Sequence, residues 1–334
     1  MGDYSIRCYN GSEPLDLEEA TFSMEPQAYF HGSFVPLADA NINIMTHAFN
    51  YGTGCFEGIR GYWNDDEQQL FLFRLREHYQ RLLISGRILG MTCPHSVDEL
   101  CEITIELVRR NNHREDCYVR PILYKGSTIV GVRMHNLEDH FAIFTTSFGK
   151  YIEAPDGCRC CTSSYRRIDD NAIPARAKVT GGYVNSALAK TEAQLNGFDE
   201  AIMLTNEGHV CEGSGENIFI VSGDSLATPS TSDNILVGIT RASIIQIARA
   251  DLGLTTVERS LDRSELYAAD ECFMTGTAAE ITPVVEVDRR PIGTGRIGSV
   301  TRQLQSIFFD VVRGRNPTYA EWCTPVHVPV GAER

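Results

Sequence analysis

Over 334 residues the chain carries 30 Lys and Arg against 44 Asp and Glu, a formal net charge of −14, with 43% hydrophobic and 9% aromatic residues. That length suits about two domains with a sizeable buried core, and the composition excludes a disordered or fibrous chain. The acidic charge forms no basic stripe, which argues against a nucleic-acid partner, and no apolar run reaches the ~18 residues of a membrane span. The first residues lack the charged and apolar regions of a secretory signal, so a soluble cytoplasmic protein is expected. The 11 cysteines are odd in number and read as free thiols in a reducing compartment. Cys158, Cys160 and Cys161 cluster, but no nearby histidine or second cysteine pair completes a ligand set, so no metal site is expected.

In chain order, residues 1–27 are polar and acidic and read as an N-terminal extension. Ala28–Val35 reads as a hairpin through His31-Gly32, followed by a strand near Ile42–Ile44. Ala48–Tyr62 is broken by glycines and rich in aromatics, more strand than helix. Leu70–Phe73 is a short apolar strand, and Arg74–Gly86 has helical periodicity. Ser96-x-x-Glu99 is a capping box that opens a helix to about Asn112. Strands follow at Cys117–Tyr124 and Phe141–Ser147.

Residues 28–148 are expected to form a small α/β domain and 149–156 an interdomain linker, leaving 157–334 as a large domain. The large domain begins with a Cys-rich strand, a Gly-Gly turn, and a helix from Val184 to Asn196 closed by Gly197. Ala201–Leu204 and Ile218–Val221 are strands, and a helix opens near Thr240 and closes at Gly253. Asp262-x-x-Glu265 caps a short helix. Cys272–Thr275 and Ile281–Val287 are strands, and Ser299–Arg313 is the last long helix. Strands and helices are mixed without strict alternation, which favours α+β over a doubly wound sheet.

Gly293-Thr-Gly-Arg-Ile-Gly298 matches a dinucleotide fingerprint, but no second strand with an acidic residue follows it, so a plain glycine turn is expected. A stronger lead is the lysine count. Only Lys125, Lys150, Lys178 and Lys190 are present, so chemistry that needs a lysine amine has four candidates. Lys178 precedes a Gly-Gly turn, with Tyr183 five positions on. Glu212-Gly-Ser-Gly-Glu-Asn-Ile-Phe219 puts a carboxylate at a strand end beside glycines, where backbone can approach a flat ring. Gly238-Ile239-Thr240 opens a helix whose free N–H groups suit a phosphate. Met274-Thr-Gly-Thr277-Ala278-Ala-Glu280 is a second turn of small residues.

Taken together and in this order, these motifs resemble the fold-type IV pyridoxal phosphate enzymes, and among them the branched-chain amino acid aminotransferases. The resemblance runs from about Ala28 to Arg313, through the Glu212–Phe219 run, the segment His47…Tyr51-Gly-Thr-Gly-Cys-Phe56-Glu-Gly58-Ile-Arg60, and Met274–Pro283. It implies a two-domain α+β fold with mixed sheets, a barrel-like large domain, and pyridoxal 5′-phosphate as cofactor. It implies that Lys178 holds the cofactor covalently and moves protons, with Tyr183 on the ring hydroxyl and Glu212 on the ring nitrogen. Arg81, Ile239, Thr240 and Thr277 are implied to bind the phosphate. Phe56, Gly58, Tyr118, Arg120, Tyr151, Thr277 and Ala278 are implied around the substrate, with Tyr51 and Val132 supplied by a partner subunit, which requires at least a dimer.

The implied reaction moves the amino group of L-leucine, L-isoleucine or L-valine to 2-oxoglutarate by a ping-pong route. Phe148 departs from the tryptophan that branched-chain enzymes often carry there, which leaves the pocket's size open. A D-amino acid or (R)-amine transaminase, or an aminodeoxychorismate lyase, would share the fold. The Phe56–Arg60 run and the Tyr118/Arg120 pair argue against those.

Overall fold

The computed structural model describes residues 25–327, so the expected acidic extension lies almost wholly outside the described residues. β1 (Gln27–Phe30) and β2 (Ser33–Pro36) form the hairpin that His31-Gly32 predicts. Phe30 pairs with Ser33, and the two turn residues take φ of 49° and 82°, the positive values that a two-residue hairpin turn demands. The strand expected at residues 42–44 is not formed. That stretch is coil and turn with Ile42 and Ile44 exposed, and an apolar run without a neighbouring strand gains nothing from being extended. Nor is the next stretch strand throughout: α1 (His47–Tyr51) precedes β3 (Gly54–Phe56) and β4 (Ile59–Asn64). Gly52, at φ 66°, ends a helical turn rather than interrupting a strand.

β5 (Gln69–Phe73) leads into α2 (Leu75–Ile88), and α3 (Val97–Arg110) opens on the expected capping box, with Ser96 Oγ accepting from Glu99 N and the Glu99 carboxylate from Ser96 N. β6 (Cys117–Lys125) and β7 (Asp139–Ser147) complete this half. Residues 149–156 then form neither helix nor strand.

The second half runs β8 (Cys158–Arg166), α4 (Tyr183–Leu195), β9 (Glu200–Leu204), β10 (Val210–Gly213), β11 (Asn217–Ser222), β12 (Ser225–Thr228) and α5 (Ile239–Ala250). It continues through β13 (Thr255–Glu258), α6 (Arg263–Ala268), β14 (Glu271–Gly276), β15 (Glu280–Val287), β16 (Arg290–Pro291), α7 (Ser299–Val312) and β17 (Cys323–Pro325). The last strand returns to the first half. One sheet has the order β17-β5-β4-β6-β7-β1-β2 with β3 on β6; the other has β10-β9-β8-β15-β14-β11-β12-β13 with β16 on β15. β8 runs parallel to both β9 and β15, and β12 to β13, among antiparallel neighbours. The second sheet curls into a half-barrel, and the fold is the α+β class read from the sequence.

Two features bind the halves. Tyr62, Phe71 and Phe73 of the first sheet share a core with Phe219, Phe273, Ile244 and Phe308 of the second half, and each such side chain contributes about 1.5–3 kcal/mol by leaving water. The loop before α4 also docks on β3: Phe56 N donates to Lys178 O (3.1 Å), Thr180 N to Gly54 O (2.9 Å) and Gly181 N to Gly52 O (3.1 Å). A Cβ on Gly52 would stand 2.6 Å from the Gly181 Cα, so that approach requires glycine. The glycine run at 293–298 is a turn, as expected. The start of α7 that follows it is occupied by protein: Val300 N and Thr301 N donate to the Glu271 carboxylate at 3.0 and 2.8 Å.

Candidate active site

A cavity of about 580 Å³ opens where the two halves meet, lined from both. Of the four lysines, Lys150 is exposed at the surface, while Lys125 is paired with Asp139 at 2.7 Å and Lys190 with Glu200 at 2.5 Å. Lys178 alone lines the cavity. Its backbone N donates to Ser85 Oγ (3.2 Å), and its Nζ donates to the hydroxyl of Tyr183, the first residue of α4, at 2.5 Å. Its other near neighbour is the Phe56 ring, 5.1 Å away. An amine held by a phenol and an aromatic face, with no carboxylate fixed to it, can leave its partner and react.

Glu212 sits at the end of β10, 6% exposed, beside a small pocket that Lys178 and Tyr183 also line. Arg167 Nε stands 2.8 Å from Glu212 Oε1, and Leu236 N donates to Oε2 at 3.0 Å. Burial works against the Arg167 charge, but Glu212 more than offsets it and raises the guanidinium pKa. Glu216 behaves oppositely. It is 3% exposed, accepts from Gly215 N at 3.0 Å, and its pKa is pushed up to about 8, first by burial and then by Glu200. One strand-turn-strand thus presents a carboxylate with a cationic partner and, four residues on, a carboxyl that stays protonated at neutral pH.

Arg81, on α2, reaches the cavity with its guanidinium set by three acceptors. Nε and Nη2 donate to the two oxygens of Glu57 at 2.6 and 2.7 Å, and Nη1 to Val237 O at 2.9 Å. Glu57 is fully buried. Burial alone would raise its pKa, but Arg81 and then His78, whose Nδ1 is 2.8 Å from Oε2, bring it down to about 2. Burial lowers the pKa of His78, so a neutral ring donates its Nδ1–H. His78 and Arg81 are three apart and share one helix face, which is how both meet one carboxylate. Opposite lies the start of α5, where Gly238 offers no side-chain cap, with Ile239 and Thr240 beside it and Thr277 in the turn between β14 and β15. A guanidinium facing an uncapped helix start is an anion cradle.

On the remaining wall, Tyr118 and Arg120 emerge from one face of β6, and Arg120 Nη2 donates to the Tyr118 hydroxyl at 2.9 Å. The Arg120 guanidinium lies 4.4 Å from the Phe56 ring centroid. Gly58 makes room: a Cβ there would stand 2.0 Å from the Tyr118 hydroxyl. Tyr151 and Ala278 also line the cavity, as does Phe148, whose ring lies 4.9 Å from that of Tyr118. Two buried polar atoms of cavity residues, Arg120 Nε and Thr275 Oγ1, have no hydrogen-bond partner in the protein. Tyr51 and Val132 stand apart from this group: the Tyr51 hydroxyl accepts from Gly131 N at 3.0 Å, and Val132 is 81% exposed.

Sequence reading missed Glu57, His78 and Arg167. The signal for the first two was a buried-type acid inside the Phe56–Arg60 run and an i,i+3 His/Arg pair. Arg167 carried none, because only the fold brings it to Glu212. Together the amine and phenol, the paired carboxylate, the anion cradle and the orphaned Thr275 hydroxyl suit a flat, phosphorylated heteroaromatic aldehyde.

A sequence profile for the amino-transferase class IV family matches residues 54–287. The chain belongs to the class IV aminotransferases, in the branched-chain group. It is 50% identical over 307 residues to a probable branched-chain-amino-acid aminotransferase of Aquifex aeolicus, covering 92% of this chain and 98% of that one. Among solved structures it resembles the Thermoproteus uzoniensis branched-chain aminotransferase crystallised with norvaline (TM-score 0.86, 43% identity, 90% and 99% of the two chains). It also resembles the pyridoxal phosphate form of the Thermobaculum terrenum enzyme (TM-score 0.87, 38% identity, 92% and 100%). This class IV aminotransferase uses pyridoxal phosphate. Among its described residues no helix is long and apolar enough to cross a membrane.

Proposed function

We propose that this branched-chain aminotransferase passes the amino group of L-leucine, L-isoleucine or L-valine to 2-oxoglutarate in two half-reactions at the cavity around Lys178. The observation that carries the assignment of residues is that Lys178 and Tyr183 stand where two pockets share a wall, one lined by Glu212 and Arg167 and the other by Arg81. Pyridoxal phosphate supplies an electron sink for the pair released when Cα loses its proton. Lys178 Nζ would hold that group covalently and, once free, would serve as the base that takes the proton from the substrate Cα. The Tyr183 hydroxyl keeps that amine in place. Glu212, oriented by Arg167 and Leu236 N, holds a proton on the ring nitrogen, since a nearby opposite charge favours the charged form. Arg81, the α5 start, Thr240 and Thr277 bind the phosphate.

Tyr118, Arg120 and the Thr277–Ala278 turn hold the substrate carboxylates, while Phe56, Phe148 and Tyr151 enclose the side chain. An apolar wall of this kind separates aliphatic substrates by only ~1–3 kcal/mol per methylene, so all three branched-chain amino acids are accepted. Tyr51 and Val132 complete a neighbouring subunit's site rather than their own, which makes the working unit at least a dimer. Residues 28–148 and 157–334 act as small and large domains joined by 149–156. The enzyme works in the cytoplasm.

The test is the near-visible absorption of the lysine-bound cofactor. L-leucine should bleach the band and 2-oxoglutarate restore it, and Lys178→Ala should lack it. A band that answers only to D-alanine or an (R)-amine overturns the substrate assignment, and an unchanged band in Lys178→Ala overturns the lysine's.

A further inference from the structure

The roles above leave one charged side chain at the junction of the halves without a task. Arg60, on β4, is 3% exposed and does not line the cavity, yet its guanidinium is tied to three carbonyls in two chain segments. Nη1 donates to Ala278 O at 3.1 Å, and Nη2 donates to Gly149 O at 3.0 Å and to Phe148 O at 3.4 Å. The guanidinium carbon also lies 5.2 Å from the Phe148 ring centroid. The nearest carboxylates, Glu280 at 3.7 Å and Asp116 at 3.9 Å, balance its charge from beyond hydrogen-bond distance. Its donors are therefore spent on carbonyls, and its Nε finds no partner at all. Burying a guanidinium this way is a poor source of stability, because desolvation takes back much of what the contacts return. What the arrangement supplies is geometry. Ala278 belongs to the β14–β15 turn, Phe148 and Gly149 to the chain leaving β7, and Arg60 itself is paired across strands with Tyr118.

We propose that Arg60 is a positioning residue for transamination: by bonding the Ala278 and Gly149 carbonyls it fixes the Thr277–Ala278 turn against the Phe148–Tyr151 segment, and so sets the gap that receives the carboxylate of each substrate. This rests on the assignment of that turn to substrate binding. A lysine at position 60 keeps the charge but cannot reproduce the planar fork that spans two carbonyls.

The test is steady-state kinetics of Arg60→Lys with L-leucine and 2-oxoglutarate, alongside the absorption spectrum of the bound cofactor. The expected result is a fall in kcat/KM of about 100-fold for both substrates, carried mainly by KM. The cofactor band, set by Lys178, Tyr183 and Glu212, stays unchanged. Should Arg60→Lys fail to fold, Arg60→Met combined with Glu280→Gln removes the cation and one facing carboxylate together and carries the same expectation. A folded variant with both KM values unchanged overturns the proposal, as does one that loses only kcat or shifts the cofactor band. Thr277→Ala separates the two readings. If it too leaves both KM values unchanged, the assignment of the turn fails; if it raises them while Arg60→Lys does not, only the role of Arg60 fails.

Discussion

Glu57 shows how a buried residue outside the cavity lining governs one that lines it, Arg81. Its charge is sustained by Arg81 and His78, with its pKa held at about 2 against an ordinary 4.5. A depressed carboxylate stabilises the fold above its unfolded value and loses that contribution as pH falls from 4.5 toward about 2. Glu57→Gln leaves a buried guanidinium without its counter-charge, and should cost on the order of 3 kcal/mol at neutral pH and weaken retention of the cofactor. Urea midpoints measured against pH check this. The gap between wild type and variant should close on acidification, and a gap independent of pH refutes the reading. Gly58 makes a complementary case. A methyl at that position meets the Tyr118 hydroxyl at 2.0 Å, so Gly58→Ala should lower kcat/KM by about 100-fold through displaced substrate contacts. Circular dichroism should stay unchanged, and kinetics within about two-fold of wild type would refute the requirement for glycine.

Among the elements, α3 isolates stability from activity. Its capping box is complete and its buried face, Leu100, Thr104 and Leu107, packs inside the first half, while no α3 residue lines the cavity. Ser96→Ala should therefore cost about 1 kcal/mol in urea unfolding and leave KM for L-leucine unchanged; a raised KM would mean that the helix reaches the site after all. The same helix marks what a sequence makes legible. Where a start or stop signal is explicit, as in the capping box at Ser96 or the glycines at 197 and 253 that end two helices, the element is where the pattern puts it. Four-residue strands such as β10, β12 and β13 offer too few positions for a period to register. The false strand at 42–44 and the missed helical turn α1 both arise where packing against a neighbour, rather than local pattern, decides the backbone. The candidate site follows the same division. Lys178 stood out because lysine is scarce, and Glu212 and Thr240 because glycines and a helix start flank them. Glu57, Arg167 and Arg60 act through partners far away in sequence, and only the fold pairs them.

For the whole molecule, the first half carries an apolar hollow of about 350 Å³ lined by Phe30, Ile42, Phe49 and Phe144, with Ile44 and Met45 also exposed nearby. Exposed apolar surface of this extent is the mark of an interface, and it lies on the half that carries Tyr51 and Val132. If the proposed dimer forms through this face, Phe49→Asp should convert the particle to half its mass in light scattering and reduce turnover at saturating L-leucine. A wild-type monomer with full activity would refute shared sites.

The docking of the lysine loop on β3 also bears on modularity. Because the peptide that carries Lys178 is threaded onto the margin of the other half through Gly52 and Gly181, the two halves are not interchangeable parts. A hybrid that joins the first half of one relative to the second half of another inherits its alignment from two mating edges, and where those edges differ it can fold and still hold the amine out of line. Recombination within such a lineage is therefore confined to exchanges that carry both margins together.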